Sequence, residues 1–232
     1  MQTVIDACSR KGGVGKTAIA SAVASLLARD GRSVVLLDMD TQSSAASALG
    51  VDPLAAGSAQ WLSEQTANFQ EPQAGLRLLS GGPSLERVRM DPMLLSRKLG
   101  TLDAEFVVID TAPGAGDLSR AAAAVADHVL VVTEPHPLGL AGAVSILQGL
   151  APTQRRALIL SRLDTKRALH RAIQDGAADA FDGMDVFPVR NDVLFERGLA
   201  AGTPAATLRQ TKAIEDLNAI VSWLLEGKGA RR

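Results

Sequence analysis

The chain has 232 residues, of which 47% are hydrophobic and 21% charged, and its formal net charge is −1. This composition is typical of a globular protein with one large core, so a single domain spanning 1–232 is expected. One cysteine, Cys8, excludes a disulfide framework and any cluster that needs several thiolates from one chain. Neither an export signal nor a membrane-spanning run is visible, so a cytoplasmic location is expected.

Short β-branched runs alternate with longer helical stretches along the chain. Strands are predicted at 3–8, 33–38, 76–80, 106–110, 128–133, 157–161 and 185–187. Helices are predicted at 17–29, 84–99, 118–126, 138–150, 167–178 and 208–225. Most strand runs are apolar throughout, as in strands buried on both faces. The alternation predicts an α/β fold, a doubly wound and mostly parallel sheet with helices on both faces.

A glycine-rich loop, KGGVGKT, joins the first predicted strand to the first predicted helix. The general phosphate-loop pattern G-x-x-x-x-G-K-[ST] needs glycine at position 10, where this chain has Arg10, so the loop is a tighter variant. Its glycines let backbone N–H groups converge on phosphate oxygens, and the helix that follows adds the positive end of its dipole. Lys16 is predicted to neutralise the β- and γ-phosphates and Thr17 to bind Mg²⁺. The predicted nucleotide contacts are Lys11, Gly12, Gly13, Val14, Gly15, Lys16, Thr17 and Ala18.

Three aspartates end predicted strands and are expected near this loop. Asp38 and Asp40 lie two residues apart, and so on the same side of an extended chain, whereas Asp110 closes the apolar run FVVID. Ligands of such sheets bind beyond the carboxyl ends of the strands, where the three carboxylates meet. Mg²⁺ takes few protein ligands besides substrate phosphates, so one hydroxyl and one or two carboxylates suffice. Capping of the next helix is the alternative role of a strand-ending aspartate.

The loop resembles the deviant Walker A motif of the ParA/MinD ATPases, in which the first lysine is the signature residue. The resemblance extends over about 3–225 and is closest to the small ParA proteins that lack an N-terminal helix-turn-helix. It implies a P-loop NTPase fold, ATP and Mg²⁺ as cofactors, and a homodimer in which Lys11 reaches the phosphates bound by the partner. The catalytic residues that it implies are Lys11, Lys16 and Asp40, and the magnesium-site residues are Thr17, Asp38 and Asp110.

The later motifs match the family less closely. The segment at 38–42 resembles D-x-D-P-Q with Thr41 in place of proline, which implies that Asp38 supports the magnesium shell and Asp40 positions or activates the attacking water. Gln42 favours the ParA branch over MinD. Asp110 matches the Walker B aspartate, which binds Mg²⁺ through water.

The base and DNA contacts are implied by the C-terminal segments. LSRLDTK and VFPVRNDV correspond to the adenine-bracketing segments of relatives, which implies Asp164 and Pro188 as neighbours of the base. Positions 151–232 carry 13 basic against 10 acidic residues, whereas 1–150 carry 11 against 15. ParA dimers bind DNA without sequence preference through this region, and ordinary solvated charges are the alternative. The candidate DNA contacts are Arg190, Arg197, Arg209 and Lys212.

The resemblance implies an ATPase with weak intrinsic activity that partitions plasmid or chromosomal DNA. ATP would drive dimerisation and loading onto nucleoid DNA, and a ParB-like or centromere-binding partner would stimulate hydrolysis. One alternative is a ParA-like ATPase that positions a chemotaxis cluster or a carboxysome. A further alternative is a metabolic ligase on the same fold, but such enzymes generally need dedicated substrate segments, and this chain is little longer than the core. Another alternative is a MinD-like, membrane-associated ATPase, suggested by Trp223 and the basic chain end; however, the apolar spacing of 214–224 favours a helix packed on its own core.

Overall fold

The computed structural model describes residues 2–55, 57–64, 67–181 and 184–226. The strands are β1 (Thr3–Cys8), β2 (Val34–Met39), β3 (Gln70–Gln73), β4 (Leu76–Leu79), β5 (Phe106–Thr111), β6 (His128–Thr133), β7 (Arg155–Leu163) and β8 (Asp185–Arg190). The helices are α1 (Lys16–Arg29), α2 (Ser44–Ala48), α3 (Ser58–Glu64), α4 (Pro92–Leu99), α5 (Asp117–Val125), α6 (Pro137–Leu147), α7 (Ala168–Ala180), α8 (Val193–Ala200) and α9 (Lys212–Glu226). Two short 3-10 helices lie at Pro83–Arg87 and Ala205–Thr207.

Within the described residues, the strands form one sheet in the order β3-β4-β2-β5-β1-β6-β7-β8. The edge strand β3 pairs antiparallel with β4, and the other neighbours pair in parallel. The predicted α/β, doubly wound class is therefore confirmed. Because β1 is central and later strands lie on either side of it, the loop after β1 opens where the strand order changes direction. Sheets of this type bind ligands at that point.

Each face of the sheet carries its own hydrophobic core, since successive side chains of a strand point to opposite faces. One core packs the sheet against α1 and α9, with Leu26 and Leu217 fully buried. The other packs it against α3 to α7, with Trp61 and Leu95 among its members. Helix α1 is buried along most of its length because α9 and the second 3-10 helix cover it.

Two predicted helices differ more than the others from the helices of the structure. The predicted helix 84–99 is two elements, the 3-10 helix and α4, because the chain leaves the helical path before Pro92, which disfavours helical backbone in the residue that precedes it. Asp91 then caps α4, its carboxylate accepting a hydrogen bond from the Leu94 N–H at 2.9 Å. The predicted helix 208–225 begins only at Lys212. The short elements α2, α3, α8 and β3 were not predicted.

Helix α9 packs on the sheet as its apolar spacing predicted. Trp223 is 6% exposed, and its indole N–H donates to Asp185 at 2.6 Å. The Arg155 guanidinium lies 4.3 Å from the indole centroid, and the rings of His128 and Phe187 meet the indole edge-on. No described helix is long and apolar enough to cross a membrane. The basic chain end at 227–232, which suggested the membrane alternative, lies outside the described residues.

Candidate nucleotide and magnesium site

The glycine loop connects the end of β1 to the start of α1. Gly13 and Gly15 have φ angles of 80° and 86°, in the left-handed region that favours glycine. Gly15 is the N-cap of α1 and has no side chain with which to cap the helix. The first backbone N–H groups of α1 therefore face the loop, an arrangement that attracts an anion.

Lys16 and Asp110 form a buried ion pair beneath the loop. The Lys16 ammonium donates to Oδ1 of Asp110 at the end of β5, and the two side chains are 6% and 0% exposed. Burial raises the pKa of the Asp110 carboxyl, although Lys16 and a hydrogen bond from Thr17 act in the opposite direction. Within the described chain, the other oxygen, Oδ2, is buried without a hydrogen-bond partner. This unpaired oxygen beside the Thr17 hydroxyl fits the oxygen donors that Mg²⁺ prefers.

Asp38 lies next to Asp110 in the parallel register of β2 and β5. One carboxylate oxygen of Asp38 accepts the Asp40 N–H at 2.9 Å, and the other accepts the Ala45 N–H at 3.2 Å. Burial, and then the charge of Asp110, raises the pKa of Asp38 to about 7. Asp38 thus anchors the turn that leads into α2 and accepts an N–H of its first turn, the capping role that the sequence also allowed for a strand-ending aspartate. A divalent cation bound beside the two carboxyls would favour their charged forms.

Asp40 lies in the turn that follows β2 and is 8% exposed. Its carboxylate accepts the Gln42 N–H at 3.0 Å, and its carbonyl oxygen accepts the Gly82 N–H at 3.0 Å. A Cβ atom at Gly81 would collide with the same carbonyl oxygen and lie 2.9 Å from Oδ1 of Asp38. Gly81 is therefore a supporting residue of the site that sequence reasoning missed, and its only signal was the glycine pair after β4.

Lys11 lies on the outer side of the loop. Its side chain is exposed and forms no ion pair with any described residue. It borders a cavity of about 750 Å³ that extends from the loop towards α6 and α7 and is also lined by Asp164. His136 lies at the same cavity and caps α6, its Nδ1 accepting the Leu138 N–H at 3.3 Å.

A second, smaller cavity of about 60 Å³ lies between Gly15, α1 and the segment 189–192, which includes the last two residues of β8. Phe195 and Leu199 of α8 form its apolar side. Pro188 lies within β8, opposite Leu160 of β7, one residue before that segment. Asp164 therefore lines the larger cavity, whereas Pro188 lies in β8 and lines neither of these two cavities.

The predicted DNA contacts differ in how they are engaged. The Arg190 guanidinium donates to both carboxylate oxygens of Asp216, with closest distances of 2.7 and 2.8 Å, and so ties β8 to α9. The other three are exposed and form no ion pair within the described part of the chain: Arg197, Arg209 and Lys212. Gly198, next to Arg197, packs against Leu208, next to Arg209, and this contact brings the two arginines to one region of the surface.

Comparison with known proteins identifies the class. A family model described as an AAA domain matches residues 2–163, a span that includes the loop together with Asp38, Asp40 and Asp110. The chromosome-partitioning ATPase Soj of Thermus thermophilus is 30% identical over 190 residues, which cover 77% of this chain and 76% of Soj. The chain belongs to the ParA/MinD class of P-loop ATPases.

Two solved structures of this class share the fold. One is described as a plasmid partition protein, BB_S35 of Borrelia burgdorferi, bound to AMPPNP. Its TM-score is 0.79 at 21% identity, and the match covers 98% of this chain and 100% of BB_S35. The septum site-determining protein MinD of Pyrococcus horikoshii, solved with Mg-ADP, has a TM-score of 0.77 at 23% identity and full coverage of both chains. ParA/MinD relatives thus bind nucleotide on the fold that carries this loop.

Proposed function

We propose that the chain is a Mg²⁺-dependent ATPase of the ParA type whose ATP-bound form is a homodimer that partitions DNA. The observation that carries this proposal is the contrast between the two lysines of the loop. Lys16 is buried and paired with Asp110, whereas Lys11 is exposed and has no ion-pair partner within the described chain. Lys16 can therefore serve the phosphates bound by its own loop, and Lys11 is available to another subunit.

The residues of the site divide the work of hydrolysis. Lys16 exchanges the Asp110 carboxylate for phosphate oxygens when ATP enters, and the loop amides hold the remaining phosphate charge. Thr17, Asp38 and Asp110 are the residues that would hold Mg²⁺, which when bound neutralises charge on the phosphates. Asp40, in the turn after β2, orients the attacking water. Such positioning accounts for most of the catalysis of phosphoryl transfer.

Exposed apolar side chains support a dimer formed at the loop edge of the sheet. Leu138, Val193 and Leu194 are 79%, 56% and 62% exposed, and they lie at the starts of α6 and α8. Both helices begin at the edge of the sheet that carries the loop, so a second copy that faces Lys11 would cover them. A cation supplied by the partner makes ATP binding and dimerisation one linked equilibrium.

The exposed cations of the C-terminal region support DNA as the surface on which the dimer is loaded. Arg197, Arg209 and Lys212 can contact phosphates without breaking an ion pair of the described chain. Such contacts carry no sequence preference and weaken steeply with salt. A ParB-like or centromere-binding partner would then stimulate hydrolysis and release the dimer, which gives a cytoplasmic, nucleoid-associated cycle.

Nucleotide titration and DNA co-sedimentation test the proposal. Lys16→Ala should lose ATP binding, and retained affinity would refute the assignment of the loop. Asp40→Ala should bind ATP without turnover, and normal turnover would remove Asp40 from the mechanism. The ATP-bound dimer should sediment with non-specific DNA and dissociate as salt rises. Binding to vesicles of anionic lipid instead would favour a MinD-like protein, and a dimer that binds neither would favour a non-DNA cargo.

A further inference from the structure

Two neighbouring residues of β7 contact the phosphate loop from outside its motif. Ser161 is 2% exposed, and its hydroxyl lies 2.6 Å from the carbonyl oxygen of Val14, the nearer of two carbonyls within its reach. The Arg162 guanidinium donates to the carbonyl oxygen of Gly13 at 2.6 Å. The two side chains therefore hold two successive carbonyl groups of the loop.

Fixing these carbonyls also fixes two amides. A trans peptide holds its carbonyl oxygen and its N–H on opposite sides. The donor on the Gly13 carbonyl therefore turns the Val14 N–H to the other side, and the donor on the Val14 carbonyl does the same for the Gly15 N–H. Within the described residues, neither N–H donates to another backbone group. The left-handed backbone at Gly13 and Gly15 favours convergence of such amides on an anion.

The backbone of Arg162 departs from a regular strand. Its φ angle is 53°, a left-handed conformation that is unfavourable for a residue with a Cβ, and it coincides with a shift in register between β7 and β8. Such conformations persist where the surroundings determine them, often at functional sites. In a regular strand, successive side chains point to opposite faces, so this irregularity allows both residues to contact the loop. Glu134 and Glu196 hold the guanidinium at 3.2 and 3.9 Å.

We propose that Ser161 and Arg162 are positioning residues that preorganise the phosphate loop, an inference that rests on the proposed nucleotide-binding function. They set the planes of two peptide groups before nucleotide arrives, which lowers the ordering cost of binding. Neither residue belongs to the loop motif, and Ser161 lies 147 residues from Val14 in the chain. The affinity of the loop for phosphate thus depends on a distant strand.

Calorimetric titration with Mg-ADP and with tripolyphosphate tests the serine. Ser161→Ala changes no charge and should bind both probes about three- to tenfold more weakly, the effect expected of one hydrogen bond. Ser161→Thr retains the hydroxyl and should restore the affinity. Ser25→Ala is the matched control, because Ser25 is a buried serine of α1 whose hydroxyl contacts Gln73, far along the helix from the loop. It should bind both probes like the wild type.

Arg162→Gly separates positioning from stability. Glycine tolerates the left-handed backbone, so the unfolding temperature should hold or rise while the affinity for both probes falls. This variant decides the question if Ser161→Ala does not fold. If the wild-type chain binds both probes and the variants bind them with the same affinity, the inference is overturned but the proposed function stands. The same holds if the variants bind ADP more weakly but tripolyphosphate with unchanged affinity. No binding by the wild-type chain would overturn the proposed function and the inference with it.

Discussion

Asp6 is a fully buried carboxyl in the middle of β1, between Ile109 of β5 and Val129 of β6. Neither of its oxygens has a hydrogen-bond partner in the described part of the chain. Burial raises the pKa of Asp6 from 3.8 to about 8, against the attraction of Lys16. At neutral pH the carboxyl is therefore mostly protonated in the folded chain and ionised in the unfolded chain.

The pH dependence of stability follows from this difference. Between pH 3.8 and about 8, unfolding releases the Asp6 proton, so the contribution of this residue to the free energy of unfolding falls as pH rises. That contribution is fully present below pH 3.8 and is lost as pH passes through about 8. Each pH unit inside this range lowers the free energy of unfolding by about 1.4 kcal/mol. Between pH 5 and pH 7 the Asp6 contribution to that free energy therefore falls by about 2.5 kcal/mol.

Asp6→Asn removes the titration and keeps the shape of the side chain. Urea unfolding at pH 5, 6 and 7, followed by the fluorescence of the buried Trp61 and Trp223, gives the free energy of unfolding of each form. The free energy of unfolding of the variant, relative to that of the wild type, should rise by about 2.5 kcal/mol between pH 5 and pH 7. Asp103→Asn, at an exposed carboxylate, measures the effect of net charge alone. A difference for Asp6→Asn that stays constant with pH would show that the Asp6 carboxyl has the same pKa in the folded and the unfolded chain.

Two further substitutions test the supporting residues. Gly81→Ala should displace the turn that holds Asp40 and lower ATP turnover by roughly tenfold or more. The control Gly176→Ala, whose Cβ would meet no described atom within 4 Å, should keep wild-type turnover. Arg190→Ala should lower the free energy of unfolding by about 1–3 kcal/mol in urea, because it breaks the paired contact between β8 and α9. Arg209→Ala should instead change the free energy of unfolding by less than about 0.5 kcal/mol and reduce the slope of log K for DNA binding against log salt concentration by about 1. The reverse pattern would make Arg209 the structural residue and Arg190 the DNA contact.

Much of the fold could be predicted because its signals are local. The strands at 3–8 and 128–133 have the predicted bounds, since continuous apolar runs give the clearest pattern of a strand buried on both faces. The loop is equally local, as seven consecutive residues carry its chemistry. The strand-ending aspartates followed from topology, and the structure brings Asp38 and Asp110 side by side.

The supporting contacts could not be predicted, since they join residues distant in sequence. The hydroxyl of Ser161 and the guanidinium of Arg162 meet the loop across almost 150 residues, and one left-handed residue makes the contact possible. The burial of Asp6 gives no sequence signal, because a single aspartate in an apolar run also marks an edge or an irregular strand. The interruption of the predicted helix 84–99 before Pro92 did have a sequence signal, which was the proline itself. The prediction nevertheless continued the helix across it.

The mass of the ATP-bound species when the Lys11 side chain is removed shows whether this lysine joins two subunits. In the Asp40→Ala background, which should block turnover, light scattering after gel filtration compares the chain with and without Lys11→Ala. We expect a dimer with ATP and a monomer with ADP for Asp40→Ala alone, and an ATP-binding monomer for the double variant. A double variant that still forms an ATP-dependent dimer would contradict the role of Lys11 between subunits.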